Sequence, residues 1–190
     1  ISAFHPMYVD LRQVGKLRDR EKQTVYDQKR KELNALPQLD YEAVNQAKRS
    51  FLKLMFKQDG KRLLRTKGFK NFFHANARWL EPYAAFSYLR DEYGTSDFAR
   101  WPEYALYRKE EIDKLCAAES PAHEEIAFHY YVQYLLHIQL SKASDYAREK
   151  GIILKGDIPI GISRHSVEAW TEPHYFNMDG QTGAPPDAFS

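Results

Sequence analysis

Apolar residues in the first half of the chain recur at the three- and four-residue intervals of amphipathic helices. Asp40 is a good N-cap residue, so we predict a helix that begins after it and ends at Gly60. Further on, Phe69 to Asn76 and Arg78 to Tyr93 continue in helical period, and Gly94 is a C-terminal break. The first of these helices has one apolar face, formed by Val44, Ala47, Phe51, Leu54 and Met55.

A longer helix is predicted from Ser120-Pro121 to Lys150. Serine is a favoured N-cap residue, proline suits the first helical turn, and Gly151 closes the helix. At about 1.5 Å per residue, the helix would be roughly 45 Å long. By contrast, Leu17 to Ala35 is highly charged with few apolar positions, and Pro37 follows it. That stretch predicts a surface helix or an extended arm with weak burial.

Two stretches have the pattern of short strands. Met7 to Val9 is the apolar centre of the first, and "IILKGDIPIGI" after Gly151 predicts the second, from Ile152 to Pro159. A long helix, a short turn and a buried strand form the αβ half of a βαβ unit. A single strand cannot form a sheet, so the second strand implies partner strands that this chain mostly lacks.

Asp157 stands at the carboxyl end of the second predicted strand, shortly before Pro159. In α/β barrels and open α/β sheets, ligands bind beyond the carboxyl ends of the strands. A carboxylate at this point can accept hydrogen bonds from a polar ligand such as a sugar hydroxyl. Aspartate is also common in turns, and capping of the following turn is the more frequent role. The spacing alone leaves both roles open.

Composition excludes several classes of protein and site. The 190 residues are 43% hydrophobic and 28% charged, as in a globular domain, and the net charge of +2 predicts no nucleic-acid partner. The single cysteine, Cys116, excludes an internal disulfide and a cysteine-based zinc site. No apolar run of about 18 residues occurs, so no membrane partner is predicted. Because the chain starts at Ile1 without a methionine, we expect it to be part of a longer protein.

Histidines and basic residues offer two further candidate sites, and both are better explained without a ligand. His123 and His129 are six residues apart, about 240° around a helix, and cannot bind one metal from one face. No metal site is therefore predicted. The basic runs Lys22 to Lys31 and Lys61 to Lys70 contain or adjoin acidic and apolar residues, and they predict solvated helix surfaces.

Several segments resemble glycoside hydrolase family 77, the 4-α-glucanotransferases. "GDIPIGISRHSVEAW" (156–170) is similar to the family's Gly-Asp-apolar-Pro-Ile segment, and "FNMDGQTGAPPDAFS" (176–190) to the loop that follows it. "SAFHPMYVDL" and the helical sequences between these segments match in the same order from end to end. Two departures are a shorter stretch between Phe4 and Pro6, and Ala188 where the family usually has tyrosine. Loss of that aromatic ring would remove a stacking surface for an acceptor sugar.

The resemblance implies that this chain is a partial catalytic domain, mainly α, with a helical insertion and one or two strands of a (β/α)8 barrel. We expect a barrel-strand segment at 1–12, the insertion at 13–120, a long helix and barrel strand at 121–160, and an acceptor-side loop at 161–190. The full enzyme would transfer α-1,4-glucan segments between malto-oligosaccharides in the cytoplasm, by a retaining double displacement that uses no cofactor.

The family's catalytic carboxylates are expected downstream of this chain, so no catalytic residue is predicted in it and it should be inactive alone. Among the tryptophans Trp79, Trp101 and Trp170, core packing is the commoner role, and Trp170 is the best candidate for the cleft. Two alternatives remain open: a non-catalytic helical glucan-binding module, and a helical interaction domain that binds no sugar. The residues expected to bind substrate are Asp157, Trp170, Asp187, Ala188, Phe189 and Ser190.

Overall fold

The computed structural model describes residues 2–157 and 161–180, and the regular structure within them is helical. Short 3-10 turns at Pro6–Tyr8, Phe98–Arg100 and Pro173–Tyr175 connect or extend the helices. The α-helices are α1 (Leu11–Val14), α2 (Arg20–Asn34), α3 (Tyr41–Met55), α4 (Lys61–Leu64), α5 (Lys67–Tyr93), α6 (Lys109–Cys116), α7 (His123–Glu149) and α8 (Val167–Thr171).

The helix boundaries follow from the capping residues in the sequence. Asp40 caps α3, because its side chain accepts a hydrogen bond from the N–H of Ala43 at 2.9 Å. The helix α5 ends at Gly94, which adopts a left-handed backbone with φ of 68°. These features confirm the helices predicted after Asp40 and up to Tyr93. The long helix predicted after Ser120 is also confirmed, but its predicted start is wrong: α7 begins at His123, and Ser120 is not its N-cap residue.

The helix that starts with α3 does not end at Gly60, as the sequence predicted. A single π-helical turn, Phe56–Gly60, follows α3 directly and leads into α4. Gly60 has helical dihedral angles, and a Cβ atom at this position would lie 2.6 Å from Cε2 of Phe56. The glycine therefore makes room for the Phe56 ring instead of terminating the helix.

The core forms mainly where α5 packs against α7, each of 27 residues. Aromatic rings fill this interface: Phe72 lies 5.3 Å from Tyr134 between ring centroids, and Phe56 from the π turn lies 5.3 Å from Tyr131. Helix α2 contributes no buried residue and contacts the core through Tyr26, which packs on Phe51 at 4.2 Å. Its weak burial was predicted from its charge.

Neither predicted strand forms within the described residues. The stretch around Met7 is a 3-10 turn, and residues 152–157 have no regular structure. A strand needs a neighbouring strand to bind its backbone groups. The described residues provide none, and Ile153 is 91% exposed. Pro159, the predicted end of the second strand, lies outside the described residues.

Membrane insertion has no support from the helices. Across residues 2–157 and 161–180, no helix combines the length and apolar character that crossing a bilayer requires.

Candidate functional site

Asp157 belongs to a stretch that leaves the end of α7 and runs along the surface. Gly151 ends the helix with a left-handed φ of 72°, and Ile152 donates its N–H to the carbonyl of Ala147. From Gly151 to Asp157 every residue is exposed. Asp157 thus lies at the surface of the protein, on a stretch without regular structure. The candidates Asp187, Ala188, Phe189 and Ser190 lie outside the described residues.

Residues 161–180 are anchored by α8. Ser166 caps this short helix by accepting a hydrogen bond from the N–H of Ala169. Trp170, near the other end of α8, is 2% exposed, and its indole N–H donates to the carbonyl of Tyr104 at 2.9 Å. Its ring packs among Tyr107 at 5.0 Å, Phe86 at 5.6 Å and Trp101 at 5.7 Å.

Trp170 therefore packs against the helical core in this structure. A sugar stacks on an exposed ring face, and the neighbouring aromatic rings cover the faces of Trp170. Trp101 is likewise buried, at 3% exposure, whereas Trp79 on α5 is partly exposed. The geometry gives Trp170 the role of holding α8, and with it residues 161–180, against α5 and its neighbours.

A cleft of about 770 Å³ lies beside α8, between α5 and α6. Ser2 and Ala3 line one part of it, and Trp79 and Tyr107 contribute aromatic surface. Small-molecule sites typically have this size and combine apolar walls with a few polar groups. The charged side chains in its lining are Arg78, Glu81, Lys109, Asp113, Glu168 and Glu172.

The carboxylates of the cleft differ in their surroundings. Partial burial, and the nearby charge of Asp113, raise the pKa of Glu81. The ammonium group of Lys109 lies 2.7 Å from both carboxylate oxygens of Asp113 and neutralises much of its charge. When ionised, Glu81 can accept hydrogen bonds from hydroxyl groups in the cleft.

The N-terminal segment (residues 2–10) is held by side chains from two helices. Gln133 and Gln139 of α7 bind the backbone of Phe4 and Asp10, and Lys48 of α3 binds two carbonyls between them. Sequence reasoning missed these residues. Gln133 is 1% exposed within an otherwise apolar stretch, and a polar residue in such a run could have indicated it.

A second polar cluster joins α3, α5 and α7 around Asp91. Its carboxylate pairs with Arg49 and Arg90 and lies 3.6 Å from Nε2 of buried His129. Burial opposes ionisation of Asp91, but hydrogen bonds from His129 and Arg49 and the charge of Arg90 hold its pKa well below the usual range. For His129, burial lowers the pKa despite the nearby carboxylate. The cluster fixes the three helices together.

Metal binding finds no support in the described part of the chain. There, no group of three or more histidine, cysteine, aspartate or glutamate side chains is arranged to hold an ion. His123, one of the two histidines considered from sequence, instead has its Nδ1 atom 3.0 Å from the carbonyl oxygen of Cys116.

Three known proteins similar to this chain are all named as 4-alpha-glucanotransferases. The 4-alpha-glucanotransferase DPE2 of Oryza sativa subsp. japonica is 41% identical over 189 residues, which cover all of this chain and 20% of the relative. The 4-alpha-glucanotransferase of Chlamydia trachomatis serovar D is 32% identical, over 84% of this chain and 30% of the relative. That of Thermus thermophilus is 37% identical, over 64% of this chain and 25% of the relative.

This chain thus spans between 20% and 30% of the length of these three relatives. No solved structure gave a significant match. The family model of glycoside hydrolase family 77, described as 4-alpha-glucanotransferase, matches residues 1–190. Since that match covers the whole chain, the protein belongs to the 4-alpha-glucanotransferase family.

Proposed function

We propose that this chain is the helical part of a 4-α-glucanotransferase and binds the α-1,4-glucan that the enzyme transfers. The observation that carries the proposal is the family match over residues 1–190. The surface around Asp157 and the polar cleft beside α8 supply groups suited to a sugar. Malto-oligosaccharides are therefore the proposed ligands.

Transfer by such an enzyme proceeds through two displacements. One carboxylate attacks the anomeric carbon and forms a glycosyl-enzyme, while a second protonates the departing oxygen and later deprotonates the acceptor hydroxyl. We propose that other parts of the enzyme provide both carboxylates, and that this chain alone does not catalyse transfer. Its coverage of 20% of the rice relative supports this division of labour.

Within the chain, we propose Asp157 as a hydrogen-bond acceptor for a sugar hydroxyl. Asp187, Ala188, Phe189 and Ser190 are proposed to contact the acceptor sugar. Trp170 would contribute indirectly, because its buried ring holds α8 beside the cleft. The (β/α)8 barrel, the division at residues 12, 120 and 160, the cytoplasmic location and the absence of a cofactor are further proposals that rest on the family resemblance.

Titration with maltoheptaose, followed by amide NMR shifts, tests the proposal directly. The chain should bind, and Asp157→Asn should weaken binding about tenfold, as loss of a charged hydrogen-bond acceptor predicts. Asp145→Asn is the matched control, because Asp145 is an exposed aspartate on α7 that pairs with Arg148. If the Asp157 variant and the control bind maltoheptaose with equal affinity, Asp157 does not contribute to sugar binding. A flat titration would favour an interaction domain that binds no sugar.

An activity assay separates a transferase part from a binding module. The chain alone should release no glucose from maltotriose, whereas a full-length transferase that contains this chain should release it. Glucose release by the chain alone would refute the proposal that both catalytic carboxylates lie elsewhere.

A further inference from the structure

Two glutamines of α7 bind the backbone of the N-terminal segment in the same way. The side chain of Gln133 accepts a hydrogen bond from the N–H of Phe4 at 3.0 Å and donates one to its carbonyl at 2.8 Å. Gln139 repeats the arrangement with Asp10, at 2.8 Å and 3.0 Å. Each amide thus satisfies both backbone groups of a residue 129 positions earlier in the chain.

Between these two points, Lys48 of α3 holds the middle of the segment. Its ammonium group donates to the carbonyls of Met7 at 2.5 Å and Val9 at 2.9 Å. Val9 itself is fully buried. The backbone is therefore fixed at its two ends and its centre by side chains from two different helices.

A side-chain amide can replace a neighbouring strand here because it carries one donor and one acceptor, as a peptide group does. The segment that the sequence predicted as a strand is instead a 3-10 turn around Met7. The glutamines bind its backbone at the two ends, Phe4 and Asp10. Gln133 is almost fully buried and also donates to the hydroxyl of Tyr83 at 3.1 Å. Buried amides satisfied in this way hold one conformation, since any other would leave polar groups without partners.

The fixed segment continues directly into the candidate site. Ser2 and Ala3, which precede Phe4, line the cleft beside α8. The same helix α7 leads through Gly151 to Asp157. Helix α7 therefore holds the N-terminal segment and also leads into the stretch that carries Asp157.

We propose that Gln133 and Gln139 are positioning residues for glucan binding, acting through the N-terminal segment that they hold against α7. The inference rests on the proposed function, because it requires glucan to bind against the wall of the cleft beside α8. Neither glutamine contacts the sugar in this proposal. They make the segment rigid before the ligand arrives, which lowers the entropic cost of binding.

Gln139 is the better residue to substitute, because it is partly exposed whereas Gln133 lies in the core. Gln139→Met keeps the length of the side chain and removes both hydrogen bonds to Asp10. Gln139→Glu keeps the acceptor for the Asp10 N–H. Gln28→Met is the matched control, since Gln28 is exposed on α2 and donates to Glu32 within the same helix.

The experiment measures amide hydrogen exchange at Asp10 and maltoheptaose affinity in the same four proteins. In Gln139→Met, exchange at Asp10 should accelerate about tenfold and the Kd should rise about threefold, with the melting temperature nearly unchanged. Gln139→Glu keeps the acceptor but has no donor for the Asp10 carbonyl, so its exchange and its affinity should lie between those of Gln139→Met and the original chain. Gln28→Met should match the original chain in both measurements.

Two results would overturn the proposal while leaving the proposed function intact: unchanged exchange at Asp10 in Gln139→Met, or faster exchange with unchanged affinity. The first would mean that the glutamine does not hold the segment, and the second that the segment does not border the ligand. Absence of maltoheptaose binding by the original chain would overturn the proposed function together with the positioning role. Exchange at Asp10 would then still report whether the glutamine holds the backbone.

Discussion

Replacing Trp170 by alanine should release α8 from the helical core without unfolding that core. The buried residues of α8 are Ala169 and Trp170. The indole N–H of Trp170 donates the hydrogen bond to the Tyr104 carbonyl that connects α8 to the loop before α6. Residues 161–180 therefore depend on this ring for their docking, whereas α5 and α7 retain their mutual interface.

The magnitude follows from the burial of the ring. Removing a buried tryptophan side chain costs about 3–5 kcal/mol, and the Tyr104 carbonyl loses a donor worth about 1 kcal/mol. We expect this loss to appear as local opening, so that amide exchange in α8 accelerates about 100-fold or more. Trp170→Phe should have a smaller effect, since a ring still fills the pocket while the indole N–H is lost.

Residue-resolved hydrogen exchange is the assay, and Trp79→Ala is the control. Trp79 is partly exposed on α5 and its indole N–H binds Asn76 of the same helix, so its loss should leave α8 protected. The reasoning would be refuted by an equal loss of protection in α5, α7 and α8 of Trp170→Ala. That result would make Trp170 part of the global core instead of a local anchor.

Two further predictions concern stability. Burial lowers the pKa of His129 below its ordinary value of 6.5, so the unfolded chain binds a proton at His129 more readily than the folded chain does. The free energy of unfolding should therefore fall as the pH drops from roughly 7 to 5. His129→Gln should flatten this dependence in urea unfolding, and an unchanged slope would contradict the assignment. Gly94→Ala should cost about 1 kcal/mol by thermal melting, because a left-handed φ of 68° disfavours a side chain even in the open space around Gly94. Gly156→Ala, with no left-handed angle and open space around it, is the control, and equal losses would contradict the backbone argument.

The helices could be predicted because their signals are local. Apolar spacing identified Phe51 and Met55 on the buried face of α3 but missed Leu52, which is also buried. Asp40 and Gly94 marked helix ends that the structure confirms. Each of these signals acts within a few residues of the boundary it sets. Two predicted boundaries were wrong. Gly60 makes room for the ring of Phe56 and does not end a helix, and α7 begins at His123 without a cap from Ser120.

The strands and the side chains that hold the N-terminal segment depend on distant partners. An apolar run such as Ile152 to Leu154 becomes a strand only beside another strand, and the described residues contain none. Nothing near Phe4 in the sequence indicates that Gln133 binds its backbone. The Gly-Asp motif drew attention to Asp157, whereas the cleft lined by Glu81 arises only when α5, α6 and α8 come together.

The π turn at Phe56–Gly60 changes how sequence maps onto the helical surface. Each residue in an α-helix advances about 100° around the axis, so a wider turn shifts the angular position of every side chain that follows it. Leu63 and Leu64, which follow the π turn, are partly buried against the core. Comparisons that treat Tyr41 to Leu64 as one uninterrupted helix would place these leucines at the wrong angle around the helix axis. In related chains, insertions or deletions of a single residue at this point would change the helical phase without changing the connectivity.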